Sequence, residues 1–320
     1  MYELVLLNAG GTMLRVENLN KEIINFALKD ISFHLPKGYI MGLIGVNASG
    51  KSSLIKTIIN VYHKDSGRVY IDRISMDEDE RRAKNLMGIV LDENFYEPFL
   101  SAEENAKFFG KYFEHYDHDV FLRYCRRFHV DTKKKLKKLS KGQQMKFQIA
   151  FALSHEARFF IMDEPTGNLD QAFRLEFTEI MQDLVADGEK SILLATHQTD
   201  TLDQIADYIT LMDKGRIVFS MNKEILMDKY ILMSGDAESI NALPENIVVY
   251  RENGLYRSMA LINNPDFGDT DNAINLYDIE GTTESLGLTK LRPTIEELMY
   301  FMVKGGFHGV ESGMERQPAL

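Results

Sequence analysis

Gly45-Val46-Asn47-Ala48-Ser49-Gly50-Lys51-Ser52 is a complete G-x-x-x-x-G-K-S loop, a spacing whose chemistry is the holding of nucleotide phosphates. Its flanks suit that use. Tyr39-Ile40-Met41-Gly42-Leu43-Ile44 reads as a buried strand and Ser53-Leu54-Ile55-Lys56-Thr57-Ile58-Ile59 as the helix that follows. Gly45 and Gly50 let the backbone across Asn47, Ala48 and Ser49 turn its N–H groups inward, while the helix N-terminus adds partial positive charge. Lys51 can reach the β- and γ-phosphates, Ser52 can hold Mg²⁺, and Ser53 stands near the α-phosphate. The expected ligand is therefore ATP or GTP.

Three later segments narrow the chemistry. Leu139-Ser140-Lys141-Gly142-Gln143-Gln144 runs into a helical stretch through Leu153. A serine opening a helix brings a hydroxyl and unpaired N–H donors to bear on an anion. Phe159-Phe160-Ile161-Met162-Asp163-Glu164-Pro165-Thr166 then ends a hydrophobic strand in two acids. Adjacent residues at a strand end face opposite ways, so Asp163 and Glu164 can serve two roles rather than compete for one. A further apolar strand, Ser191-Ile192-Leu193-Leu194-Ala195-Thr196, ends at His197.

This order of motifs resembles the ATP-binding cassette (ABC) ATPases over roughly residues 13–220. The resemblance implies an α/β P-loop fold with an inserted helical subdomain at about 95–155, ATP and Mg²⁺ as ligands, and hydrolysis of the ATP. It implies that Asp163 positions Mg²⁺ through water, that Glu164 is the general base, and that His197 contacts the γ-phosphate. It implies also that Ser140, Gly142 and Gln143 of the signature close over ATP held by a second subunit, with Asp170 of Gly167-Asn168-Leu169-Asp170 crossing the dimer interface.

The sequence departs from the family pattern in places. Lys141 stands where the signature's third residue is usually glycine, as in a bacterial exporter branch that reads S-K-G before a Met-Lys-rich helix. Met87-Gly88-Ile89-Val90-Leu91-Asp92-Glu93 aligns Asp92 or Glu93 with the glutamine that usually faces Mg²⁺ and the membrane partner, and Asp92 joins Ser52 and Asp163 in the expected metal set. Phe26 is the only aromatic in the interval where an adenine-stacking ring should fall, and it suits the core equally.

Composition fits a globular protein: 320 residues, 44% hydrophobic and 27% charged. No apolar run approaches the ~20 residues that span a bilayer, and Val5-Leu6-Leu7 is too short for a secretory signal. A single cysteine, Cys125, excludes an intrachain disulfide and suits a reducing compartment. A net charge of −11 argues against nucleic acid as a partner. The run Lys133-Lys134-Lys135-Leu136-Lys137-Lys138 is the local exception; it reads as a solvated loop, a contact for acidic lipid head groups, or a bias on the field near the triphosphate.

Residues 1–12 form an extension of unassigned role, 13–220 the ABC ATPase domain, 221–306 a small α+β accessory domain, and 307–320 a tail. In the accessory domain, Ile247–Tyr250 and Tyr256–Ile262 flank an Asn253-Gly254 turn signal. Thr294-Ile295-Glu296-Glu297 is a capping box, opening a helix whose apolar face is Ile295, Leu298, Met299, Met302 and Val303. The aromatics of the inserted helices, Phe108, Phe109, Tyr112 and Phe113 among them, are read chiefly as internal packing. The interval from Lys51 to Ser140 has no room for the long coiled coil of chromosome-associated ABC ATPases, and one cassette excludes the two-cassette translation-factor relatives.

Sequence therefore points to the ATP-hydrolysing subunit of a bacterial ABC exporter at the cytoplasmic face of the plasma membrane. It would pair as homodimer or heterodimer and act through a separate multi-helix membrane subunit, with amphipathic or antimicrobial peptides as cargo. The alternative is a soluble ABC-type ATPase of an assembly machine, such as an iron–sulfur scaffold.

Overall fold

Alternating apolar residues from Met13 onward make the first strand, Thr12–Ile23 (β1), which turns through Asn25 in a left-handed conformation into Phe26–Pro36 (β2). The computed structural model describes residues 11–264, 267, 281 and 285–306. Nearly all of the N-terminal extension and the whole tail lie outside the described residues. β2 leads into Ile40–Ile44 (β3), buried at every position, and then across the phosphate loop into Lys51–Ile58 (α1). The strands Ser66–Ile71 (β4) and Ile74–Ser75 (β5) complete a four-stranded antiparallel sheet of order β2-β1-β4-β5.

Next come the helix Glu80–Asn85 (α2) and the strand Met87–Val90 (β6). The inserted helices follow: Ala102–Gly110 (α3), His118–Arg127 (α4) and Lys141–Ala152 (α5). The chain re-enters the core as Phe159–Asp163 (β7), crosses Gln171–Val185 (α6), returns as Ser191–Ala195 (β8), and passes Thr199–Ile205 (α7) to Tyr208–Asp213 (β9) and Arg216–Asn222 (β10). The second sheet has the order β10-β9-β3-β8-β7-β6, and β9, β3, β8, β7 and β6 are parallel. β3, β7 and β8 are buried end to end, as strands covered on both faces must be. Leu54, Ile55 and Ile58 of α1 pack in one core with Leu14, Val16 and Leu35 of the first sheet and Leu43, Ile161 and Leu193 of the second.

Parallel pairing carries the phosphate loop, the two acids, His197 and Asp92 to one edge. β3 ends at Ile44 before the phosphate loop, β7 at Asp163, β8 at Ala195 before Thr196 and His197, and β6 at Val90 before Leu91 and Asp92. In an open α/β sheet the crevice beyond the strands' carboxyl ends is where ligands bind.

The helical insertion is packed on aromatic rings. Tyr96 meets Phe109, Phe147 and Phe151 edge-on with centroids 5.0, 4.8 and 5.7 Å apart. Phe108 and Tyr112 are exposed. Cys125 is buried on α4, and burial pushes its thiol up to about 12, far from a reactive thiolate.

The chain divides into two compact units between Ser220 and Met221. Beyond Lys223–Lys229 (α8), the second unit runs Tyr230–Gly235 (β11), Ala237–Asn241 (α9), Val248–Glu252 (β12), Ser258–Asn263 (β13), Thr289–Leu291 (β14) and Ile295–Lys304 (α10). Its antiparallel sheet has the order β12-β13-β11-β14. Thr294 and Glu297 form the capping box of α10. The buried face of α10 is Ile295, Leu298, Phe301 and Met302. Phe301 thus takes the place expected for Met299 and Val303, which are half-buried.

One turn of the fold braces the phosphate loop directly. Gly215, between β9 and β10, donates its N–H to the Ser49 carbonyl at 2.9 Å and accepts from Lys29 N at 2.8 Å. Its φ is +77°, and a Cβ there would stand 1.9 Å from the Ala27 carbonyl oxygen. Gly215→Ala should therefore destabilise the protein by about 1–3 kcal/mol and weaken nucleotide binding as well. A lower urea midpoint together with a smaller Mg-ATP thermal shift is the expected pair of results.

Candidate functional site

The phosphate loop is wound by left-handed residues: Gly45 at φ +155°, Ala48 at +62° and Gly50 at +110°. At the two glycines a side chain would not fit. A Cβ on Gly45 would meet the Met212 carbonyl oxygen at 2.3 Å, and one on Gly50 would meet the Phe26 ring at 2.5 Å. Successive turns of this kind point N–H groups into a common hollow, which is a ready anion site. Asn47 and Ala48 are exposed at its rim, as is Ser52 at the start of α1, whereas Ser53 is half-buried. Lys51 is buried and donates from Nζ to the Gly45 carbonyl at 2.9 Å, so its charge lies folded back over the loop. Burial draws the Lys51 ammonium below its ordinary value, against the opposing pull of Glu164 and Asp163.

Across from it stand the acids. Asp163 is 3% exposed, and burial raises its carboxyl above the ordinary range; the Ser52 side chain resists that rise, while the charges of Glu164 and Asp92 add to it. Glu164 has a left-handed backbone at φ +49°, an uncommon and costly state for a non-glycine residue. Its N–H is tied to the Ala195 carbonyl at 2.8 Å. Three groups converge on its Oε2: His197 Nδ1 at 2.8 Å, the Thr196 hydroxyl at 3.2 Å, and the His197 backbone N–H at 3.4 Å. The Thr196 oxygen in turn accepts from Gln198 N at 3.0 Å, which leaves its proton for Glu164.

Two buried oxygens at this edge, Ser49 Oγ and Asp163 Oδ1, have no hydrogen-bond partner. Orphaned polar atoms are costly unless something completes them. A donor hydroxyl inside the loop and an acceptor carboxylate beside Ser52 fit a triphosphate with Mg²⁺, a metal that takes one or two protein ligands and shares the rest with phosphate oxygens.

Glu93 turns away and pairs with Lys56 of α1 at 2.8 Å, while the charge of Asp92 acts on Asp163. Phe26 is half-buried, with its ring against both Gly50 and Gly215 and packed on the core cluster.

Ser140 caps α5, its Oγ accepting from Gln143 N at 3.2 Å, so the hydroxyl proton is left to face outward. The Gln143 amide reaches the His129 carbonyl at 2.9 Å. Gly142 packs on the 167–170 turn, where a Cβ would meet the Asn168 carbonyl oxygen at 2.6 Å. Asp170 accepts from Phe173 N at 2.9 Å as the cap of α6, and its other oxygen pairs with Lys146 at 3.3 Å. The Phe173 backbone and then Lys146 hold its carboxyl below the ordinary range.

Sequence reading missed one arrangement altogether. Gln148, buried on α5, accepts from Leu91 N with Oε1 and donates to Leu91 O with Nε2, both at 3.0 Å. One turn earlier, Gln144 accepts from Asn94 at 3.0 Å. Asp92 and Glu93 are thus slung between two amides of the helix that carries the signature. No motif signals this, although a glutamine amid the apolar run Phe147–Ala152 is an anomaly that a search for buried polar residues would flag.

The ABC transporter family pattern matches residues 28–167. The ABC transporter ATP-binding protein YtrB of Bacillus subtilis is 26% identical over 78% of this chain and 86% of its own length. The linearmycin resistance ATP-binding protein LnrL of the same organism is 30% identical over 64% of this chain and 68% of its own length. Ribose import ATP-binding proteins are among the relatives too. In fold, the chain is similar to the ATP-binding cassette MJ0796, solved as a dimer with ADP and Pi. The TM-score is 0.60 at 21% identity, covering 66% of this chain and 98% of that one. A phosphate loop, paired acids and a histidine on one sheet edge, with a signature helix clamped beside them, agree with those matches, and the chain belongs to the ABC transporter family as an ATP-binding, ATP-hydrolysing protein that uses Mg²⁺.

Proposed function

We propose that this protein is the ATPase of a bacterial ABC exporter, working as two copies or with a related cassette on the cytoplasmic face of a separate multi-helix membrane subunit. Among the described residues no helix is long and apolar enough to cross a membrane, which supports assigning the pathway to another polypeptide. The observation that carries the catalytic part is the convergence of His197 and Thr196 on Glu164 beside the phosphate loop. Lys51 swings from the Gly45 carbonyl to the β- and γ-phosphates. Ser52 and Asp163, with Asp92 at their edge, are the residues that would hold Mg²⁺, which when bound would neutralise phosphate charge. Glu164 takes the proton of the attacking water, and His197 reaches the γ-phosphate while its Nδ1 keeps Glu164 in place. Phe26 offers the exposed part of its ring to the base. Ser140, Gly142 and Gln143 serve the nucleotide of the opposite subunit, with Asp170 at the seam.

LnrL is named for linearmycin resistance, which together with the S-K-G signature supports efflux; amphipathic or antimicrobial peptides, as the cargo class, rest on the signature's likeness to the exporter branch alone. The ribose import relatives favour import as the second reading. Reconstitution with the neighbouring membrane protein decides between them: ATP-driven movement away from the face carrying this chain is expected, and movement toward it overturns the export reading.

Lys51→Ala should abolish nucleotide binding. Saturating Mg-ATP at about a hundred times its dissociation constant should stabilise the native protein by ~2.7 kcal/mol and the variant by little, read as unequal thermal shifts.

Glu164→Gln should retain ATP and accumulate ATP-bound dimers while hydrolysis falls. Because each site would borrow Ser140 from the other subunit, wild-type activity should rise faster than linearly with protein concentration until dimerisation saturates. Sizing columns and rate measurements from nanomolar upward check both.

Gln148→Leu should strand the Leu91 N–H and C=O, costing about 1–3 kcal/mol. Beyond that loss, it should lower kcat more than it raises the KM for Mg-ATP, since it unseats Asp92 without touching the phosphate loop. Gln148→Glu, which keeps the acceptor for Leu91 N, should recover part of the rate in steady-state assays.

A further inference from the structure

The lysine run before the signature is not used by the site. It is a built surface. Its chain is stitched to the segment before α3: Leu136 N donates to Leu100 O at 2.9 Å, Lys137 N to Pro98 O at 3.0 Å, and Glu103 N to Thr132 O at 2.9 Å. Leu136 is fully buried and pins the turn, while Lys133, Lys134, Lys135, Lys137 and Lys138 are exposed around it. Among the described residues none of these five forms an ion pair. The nearby carboxylates are already engaged: Glu103 with Lys107 at 2.6 Å, Glu104 in the capping box of Ser101, and Asp131 by the Lys133 N–H at 3.1 Å.

Phe99 stands beside the run, 62% exposed, with Lys137 Nζ 4.0 Å from its ring centre. Phe95, on the same segment, is 52% exposed. Five exposed ammoniums without an ion pair, one of them over an exposed ring, are anomalous on a chain of net charge −11.

We propose that the lysine turn 133–138 with Phe99 is a docking surface for the anionic headgroups of a lipid bilayer. Charge complementarity selects this occupant. Lysines are flexible point charges rather than the planar forks suited to fixed carboxylates, and runs of four to eight basic residues are drawn to negative leaflets, by roughly fivefold in affinity per lysine at the surface. The exposed, apolar Phe99 ring beside them can bury itself at the boundary between headgroups and acyl chains. The inference rests on the reading of this chain as the partner of a membrane subunit, which would bring it to a bilayer. The surface would add a second, lipid-borne attachment to the protein-borne one.

Flotation of the full chain with phosphatidylcholine vesicles, and with vesicles one-third phosphatidylglycerol, tests it without any membrane protein. At low salt the chain should float with the anionic vesicles only, and about 0.5 M salt should release it. Replacing Lys133, Lys134 and Lys137 together with glutamine should weaken retention at least tenfold. A control with Lys29, Lys214 and Lys290 replaced by glutamine has the same net charge and should bind like wild type. Matched thermal midpoints confirm that each variant is folded. The proposal is overturned if anionic vesicles do not retain the wild type, if the control loses as much as the patch variant, or if the patch lysines matter only for capture by a membrane protein. Failure of transport in the reconstituted complex, with vesicle binding intact, counts against the exporter reading alone.

Discussion

Everything at the nucleotide edge depends on the absence of two Cβ atoms. The loop can wind inward only because Gly45 passes the Met212 carbonyl and Gly50 passes the Phe26 ring at distances no side chain allows. That winding sets where Ser49, Lys51 and Ser52 stand. Gly215 extends the same constraint outward, since its close approach to Ala27 lets it hold the Ser49 carbonyl. The bracing is thus steric at its root, and the hydrogen bonds follow from it.

Electrostatics then sets the character of the site. Lys51 is a buried cation facing two carboxylates, and its burial and their attraction pull its proton affinity in opposite directions. Asp163 is destabilised by burial and by two like charges. Lys51 has the Gly45 carbonyl as its partner, whereas one Asp163 oxygen has none; under the proposed function, phosphate oxygens would relieve the ammonium and a divalent cation the carboxylate. Glu164 is treated differently. Its cost is conformational, in a left-handed backbone, and donors from the end of β8 hold its side chain.

How much of this the sequence disclosed depends on the range of the interaction. The phosphate loop, the paired acids and His197 were legible because neighbouring residues at a strand's end fix their geometry, and the parallel order of the sheet did the rest. The fold class followed from the order of those motifs, through the resemblance to ABC ATPases that they carry. Where a residue's role depends on what packs against it from far along the chain, the sequence was silent. Gln148 and Leu91 are 57 positions apart, and nothing local links them. Asp92 and Glu93 were indistinguishable until Lys56 claimed Glu93. Phe26 could equally have been a free stacking ring or a core side chain, and the nearness of Gly50 and Gly215 shows how much of it is already engaged. On α10, Phe301 displaced Met299 and Val303 from the centre of the buried face because a helix face is set by what covers it, not by periodicity alone.

The Gln148 clamp makes α5 a lever. Its fulcrum lies roughly 12 Å along the axis from the Ser140 cap at the usual helical rise, with Leu91 gripped at one point and the 167–170 turn resting on Gly142 near the tip. A tilt of about 5° about that fulcrum moves the tip by roughly 1 Å at this rise, enough to make or break a hydrogen bond. Small displacements of the segment after β6 are therefore magnified where Ser140 stands. Gly142 lies against Asn168 and Lys146 pairs with Asp170, so the turn is in contact with the helix at its tip. Gearing of this kind lets a modest push at one end of a rigid rod set the spacing at the other.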